Sequence, residues 1–109
     1  MITYEDFIKI EINSGTIIKV EDFPQARKPA YKLTIDFGEK LGIKYSSAQI
    51  TNYKKEDLIG KQIIAVTNFP EKQIGPFKSQ VLVLGLPSKS GQVILLSPDE
   101  KVENGERLF

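Results

Sequence analysis

With 109 residues, 40% apolar and 27% charged, the chain has the composition of one modest globular domain over residues 1–109, which excludes a disordered or fibrous protein. Fifteen Lys and Arg against fourteen Asp and Glu leave a formal net charge of +1, so no whole-molecule field steers it to polyanions. The absence of His and Cys excludes Ser-His-Asp and Cys-His chemistry, disulfides and ordinary structural zinc sites, and so favours a binding module over an enzyme.

Thr3-Tyr4-Glu5-Asp6 has the pattern of a capping box and predicts a short helix through about Ile8. The same N-terminus lacks the basic region and apolar run of a signal peptide. No apolar stretch approaches the roughly 20 residues of a bilayer span, so the expectation is a soluble, cytoplasmic protein without membrane insertion.

From Ile10 the pattern turns to alternation. The β-branched run Thr16-Ile17-Ile18-Lys19-Val20 predicts a first strand, with a bulge or bend at Gly15. Pro24 and Pro29 then break the chain into a loop. Tyr31, Leu33, Ile35 and Phe37 share one face of a second strand. Gly38 and Gly42 bracket a turn before a third strand, Ile43 to Gln49. Asn52 to Gly60 holds a short amphipathic helix closed by Gly60, and Lys61 to Thr67 is a fourth strand. Pro70, Gly75 and Pro76 make Asn68 to Ser79 a long irregular loop. Gln80 to Leu86 is a fifth strand, paired as a hairpin with Gln92 to Leu96 across Ser88-Lys89-Ser90-Gly91. After Pro98, an Asn104-Gly105 turn leads to Leu108 and Phe109.

Five or six short strands with one brief helix between the third and fourth predict an all-β fold. A small, partly open five-stranded Greek-key barrel with an extra C-terminal hairpin strand fits best. The OB-fold is the natural candidate, beside another small barrel or a sandwich. The runs Val81 to Leu86 and Val93 to Leu96 are apolar on both faces, so something must cover the outer one. The chain also carries two large apolar residues at Leu108 and Phe109. A homodimer contact through Leu82, Leu84, Leu86, Leu108 and Phe109 is expected; the alternative cover is the N-terminal helix and tail of the same subunit.

A search for catalytic machinery returns nothing. The pair Gly60-Lys61 lacks the upstream glycine and the following Ser or Thr of a phosphate-binding loop, and no GxGxxG occurs. The adjacent acids Glu5-Asp6, Glu21-Asp22, Glu56-Asp57 and Asp99-Glu100 read as solvated caps and turns. No cofactor is expected, and no metal.

The Pro-containing loops are more informative, because in an OB barrel the loops after strands one and four flank the ligand-binding face. The first offers Phe23, Arg27 and Lys28; the fourth offers Asn68, Phe69, Lys72, Phe77, Lys78 and Ser79. Tyr31 opens the second strand and Gln49 ends the third. Cations, exposed rings and amides suit single-stranded nucleic acid through phosphate, stacking and base-edge contacts. The same mixture suits an extended polypeptide, whose side chains fill apolar walls while amides meet its backbone. Phe69 and Phe77 could equally plug the end of the barrel.

These loops also carry a family likeness. Phe23 to Gly38, Ser46-Ser47-Ala48-Gln49-Ile50-Thr51, Asn68 to Gly85, and the closing Leu95-Leu96-Ser97-Pro98-Asp99 with Asn104-Gly105 strongly resemble the CsaA secretion-associated chaperones, from about Phe7 to Phe109. That family is in turn similar to the tRNA-binding domains appended to some methionyl-tRNA synthetases. The resemblance implies an OB-fold homodimer that binds unfolded or export-destined polypeptides without ATP. It further implies the secretion translocation motor and tRNA as partners. Asn68, Lys72 and Ser79 match the RNA-binding pattern of the fourth loop, whereas Gln80-Val81 stands where the tRNA binders carry Gly-Met. The expected function is an export-related chaperone for preproteins, with a tRNA or single-stranded nucleic-acid module as the alternative.

Overall fold

A computed structural model describes residues 1–109. Helix α1 (Tyr4–Ile8) forms because both halves of its capping box close: the Asp6 N–H donates to Thr3 Oγ1 at 3.2 Å and the Thr3 N–H to Asp6 Oδ2 at 3.0 Å. There follow β1 (Ile12–Asp22), β2 (Tyr31–Asp36), α2 (Gly38–Leu41), β3 (Ile43–Ala48), α3 (Lys55–Leu58) and β4 (Gln62–Val66). The chain continues through β5 (Lys72–Ile74), β6 (Phe77–Ser79), β7 (Leu82–Val83), β8 (Gly85–Pro87) and β9 (Val93–Leu95).

Five strands form one antiparallel sheet in the order β3-β2-β1-β4-β7. At 11 residues, β1 is long enough to serve two partners, pairing its first half with β4 and its second with β2. The sheet curls so that its ends nearly meet: the Gln80 N–H donates to the Tyr45 carbonyl at 2.7 Å and Ser46 Oγ to the Val81 carbonyl at 3.0 Å. This is the all-β, OB-type barrel with short helices that the sequence predicts, and β8 and β9 supply the additional hairpin.

The barrel is filled by Ile17, Leu33, Ile35, Phe37, Ile50 and Ile63, with Leu58 of α3 closing one end. Each such side chain contributes about 1.5–3 kcal/mol of transfer free energy, which explains why β2 alternates so cleanly between buried and half-buried positions. The buried polar residues are all satisfied. Ser14 Oγ donates to the Glu103 carbonyl at 2.7 Å, Gln62 Nε2 to the Val102 carbonyl at 2.6 Å, and Thr16 Oγ1 to Asn104 Oδ1 at 2.7 Å. These bonds clasp the C-terminal segment across β1 and β4.

Four details differ from the sequence reading. The bulge in β1 is at Ile18, where the register with β2 slips between Ile17 and Lys19. Gly15 is instead a point of close packing, since a Cβ there would lie 2.7 Å from the Phe37 ring. The Gly38-to-Gly42 turn tightens into the single turn of α2. The Asn68-to-Ser79 stretch is not irregular throughout but contains the β5–β6 hairpin, which turns at Gly75 with φ +57°. Finally, the predicted fifth strand splits at Leu84, whose N–H bonds back to Ile64 while its carbonyl accepts from Leu96. No helix is long and apolar enough to cross a membrane.

Candidate binding cleft

Past Val81 no ladder joins the two ends of the sheet, and a cleft of about 540 Å³ lies between them. One wall is the C-terminal half of β3 with Gln49 and Ile50; the other is Gln80 to Val83. Phe69, Pro70, Lys72 and Ile74, from the segment after β4, form its rim, and Val93 of β9 lies at its base. Two hydrogen bonds pin that rim to β3: the Ser47 N–H donates to Ser79 Oγ at 3.0 Å and the Tyr45 N–H to Gln80 Oε1 at 3.0 Å. Gln80 also reaches Glu71 with Nε2 at 2.8 Å, which ties the start of the hairpin to its end.

The cleft gathers Gln49, Phe69, Lys72 and Ser79 of the residues read from the sequence. Phe69 is 52% exposed and offers its ring to solvent at the rim. Phe77 lies elsewhere. Its ring packs edge-on against Phe23 at 5.3 Å between centroids, and Lys32 Nζ sits 5.8 Å and 5.9 Å from the two ring centres. This aromatic pair, with its shared cation, joins the first loop to the β5–β6 hairpin, and the Gly75 turn faces Gln25 beside it. Lys78 borders a separate shallow hollow with Tyr45, Pro76 and Gln80. Arg27 and Lys28 stand exposed in the first loop.

Three residues have duties within the fold that sequence reasoning did not foresee. Phe23 is buried, so it supports Phe77 rather than walling a groove. Tyr31 is buried as well, and its hydroxyl donates to the Tyr53 carbonyl at 2.9 Å as a strut between β2 and the α3 approach. Asn68 uses both ends of its amide on the N-terminal segment, accepting from the Glu11 N–H at 2.9 Å and donating to the Lys9 carbonyl at 2.8 Å. Conversely, Lys32, Ile74, Pro70 and Val93 were missed. Lys32 carried a signal, the polar position beside Tyr31 in an alternating strand; the others reach the cleft only through the hairpin and the split fifth strand.

The expected interface residues are unequally placed. Leu82 and Leu86 are exposed, and Leu86 stands opposite exposed Ile94 in the β8–β9 register; Leu84 is half-buried. Leu108 and Phe109 are exposed too, although the Leu108 N–H donates to the Ile12 carbonyl at 2.8 Å. With Tyr4, Phe7, Ile8 and Ile10 of the α1 segment they border an apolar groove of about 350 Å³. Leu86 and Ile94 stay exposed, so neither the N-terminal helix nor the tail covers these two side chains. The one resolved charge perturbation is peripheral: a hydrogen bond from Lys55 to Asp22 at 2.8 Å raises the lysine above its ordinary pKa. No group of three or more His, Cys, Asp or Glu is placed to hold a metal ion.

Comparison with known proteins agrees with the family likeness in the sequence. A family model described as "Putative tRNA binding domain" matches residues 12–107. The crystal structure of a CsaA chaperone protein from Picrophilus torridus is 59% identical, with a TM-score of 0.95 and 100% of both chains covered. That of chaperone CsaA from Bacillus anthracis is 50% identical, with a TM-score of 0.92, covering 100% of this chain and 99% of that one. A methionine–tRNA ligase of Methanosarcina mazei is 27% identical over 108 residues, which are 99% of this chain but 15% of the ligase.

Proposed function

The chain belongs to the tRNA-binding domain family, in the group formed with the CsaA chaperones, and from that premise we propose that it is a non-catalytic module that holds unfolded polypeptide as a homodimer, without ATP. One observation carries this reading: the cleft sets the apolar surfaces of Phe69, Ile74 and Val81 beside the amide and hydroxyl of Gln49 and Ser79. Apolar area supplies affinity for almost any unfolded chain, and the polar groups meet its backbone without selecting a sequence. Lys72 at the rim favours acidic segments. Preproteins awaiting export in the cytoplasm are the proposed clients, with the translocation motor as the proposed recipient.

The homodimer is supported by apolar side chains held outward on ordered backbone. Leu86 and Ile94 do so on the β8–β9 hairpin, and Leu108 does so beside α1. A two-fold contact would bury them.

A second reading, tRNA binding, is favoured by the family itself and by the placement of five cations. Arg27, Lys28, Lys32, Lys72 and Lys78 all lie on the first loop, on β2 or on the hairpin. Gln80-Val81 at the Gly-Met position of the tRNA binders argues for weaker contact, because a side chain at residue 80 keeps a phosphate backbone at a distance.

The experiment is anisotropy of labelled tRNA from about 50 to 200 mM salt, competed by an unfolded preprotein segment; several phosphate contacts should cost orders of magnitude in affinity over that range. Binding with that slope, displaced by the segment, is expected if one surface serves both ligands. Segment binding without tRNA binding leaves the chaperone reading alone, and tRNA binding that the segment never displaces overturns it.

A further inference from the structure

The cleft has a property beyond apolar walls and scattered polar groups: its two sides are strand edges, some of whose main-chain groups have no backbone partner in the fold. In an antiparallel strand, alternate residues direct both N–H and C=O to the same side. The Phe37 N–H bonds to the Gly42 carbonyl, which sets the phase of the β2–β3 ladder. Lys44, Ser46 and Ala48 therefore face β2, while Tyr45, Ser47 and Gln49 face the cleft side. Tyr45 is used there by Gln80, and the Ser47 N–H by Ser79. The Ser47 carbonyl, which meets only the neighbouring Ser46 hydroxyl at 3.3 Å, and the Gln49 N–H are left over.

The opposite wall follows the same logic. The Leu84 N–H bonds to the Ile64 carbonyl, so Leu82 and Leu84 face β4 and Val83 faces away from it, toward β3. No backbone bond joins Val83 to β3, because β3 and β7 are the two ends of the sheet. The barrel is zipped at Tyr45–Val81 and open beyond it.

We propose that this opening is a strand-addition site: an extended segment of a client polypeptide enters between β3 and β7, spreading them from within 8 Å to the roughly 9.5 Å that an intervening strand requires, and hydrogen-bonds to the Ser47 carbonyl, the Gln49 N–H and the main chain of Val83. The inference rests on the polypeptide-binding reading and gives its mode. Unpaired edges template a further strand whatever its side chains, which is the recognition a holding chaperone requires. Alternate side chains of the guest would point toward Ile50 and Val81 inside and toward solvent outside, so clients with period-two apolar patterns bind best. Phe69 and Ile74 on the hairpin rim would cover the inserted segment.

The test uses the full chain and an end-blocked octapeptide alternating valine and threonine, with a lysine at each end. Single backbone N-methylation is scanned along the peptide. Strand addition predicts losses of about fivefold to tenfold at the positions whose N–H groups meet the Ser47 and Val83 carbonyls, one on each side of the guest, and little at the remaining positions, since each methyl removes one donor. Hydrogen exchange should slow at Gln49 and Val83 on binding. Gln49→Pro, which deletes one donor next to an already extended Ala48, should weaken the peptide by a similar factor. Losses spread evenly along the peptide, or no slowing at either amide, overturn strand addition while leaving peptide binding standing. If the octapeptide fails to bind but a long unfolded segment still does, the opening is not the site. If neither binds, the polypeptide reading falls as well.

Discussion

At Gly15 an added Cβ would approach Phe37 to 2.7 Å and Ile35 Cγ2 to 2.8 Å, and all three residues are buried. Neither neighbour can retreat, because Ile35 is held in the ladder between β1 and β3 and the Phe37 N–H is held by the Gly42 carbonyl. Gly15→Ala should therefore cost about 1–3 kcal/mol as overpacking, read as a lower urea midpoint with an unchanged m value. The two phenylalanines of the fourth loop divide by the same logic of surroundings. Phe69 is exposed at the cleft rim, so Phe69→Ala should weaken peptide binding and shift the melting temperature little. Phe77 packs on Phe23 beneath Lys32, so Phe77→Ala should lower stability by about 1 kcal/mol or more through the lost aromatic pair. Calorimetry and peptide titration of the two single variants separate these outcomes; equal melting losses would place Phe69 in the core as well.

Elements are joined in this protein by a few side chains that reach across the ends of strands. Asn68 is the clearest, holding the segment after α1 through Glu11 and Lys9. Helix α1 has 5 residues and no buried side chain, so it cannot persist on its own propensity. Asn68→Ala should release it, with faster hydrogen exchange over residues 4–11, a stability loss of about 1–2 kcal/mol and unaltered protection in β2. Exchange that stays slow in α1 would show that the Arg107 guanidinium on the Ile8 carbonyl suffices to hold it. The β5–β6 hairpin is held likewise, by Ser79 and Gln80 on β3 at one end and by the Phe23–Phe77 pair at the other. The Lys55–Asp22 pair, open to solvent, is a surface contact of small consequence.

For the whole molecule the decisive quantity is exposed apolar surface. Leu86 and Ile94 face solvent on the β8–β9 hairpin, Leu82 does so at the cleft, and Tyr4, Ile8, Leu108 and Phe109 do so beside α1. Together these are more than a monomer ordinarily leaves uncovered on one small barrel. In the proposed homodimer, deleting Leu108 and Phe109 should raise the dissociation constant, visible by sedimentation as monomer at low micromolar concentration. An unchanged mass there would assign the contact to the β8–β9 face instead.

Much of this was legible in the residues themselves, for a local reason. A capping box, an alternating strand such as Tyr31 to Phe37, and a Ser-Lys-Ser-Gly turn are each complete within a few positions, and their side chains and backbone act on near neighbours. The barrel class followed from the order of such units, and so did the choice of the loops after the first and fourth strands as candidate sites. What the tertiary structure decided were the long-range bonds. Whether Asn68 and Tyr31 face a ligand or brace the fold depends on partners 59 and 22 positions away. The bulge falls at Ile18 because β1 must change partners there, and Gly15 is small because Phe37 crosses it. The opening between β3 and β7 belongs to no segment at all: it is the failure of two sheet ends to pair, and it exists only once the sheet has curled.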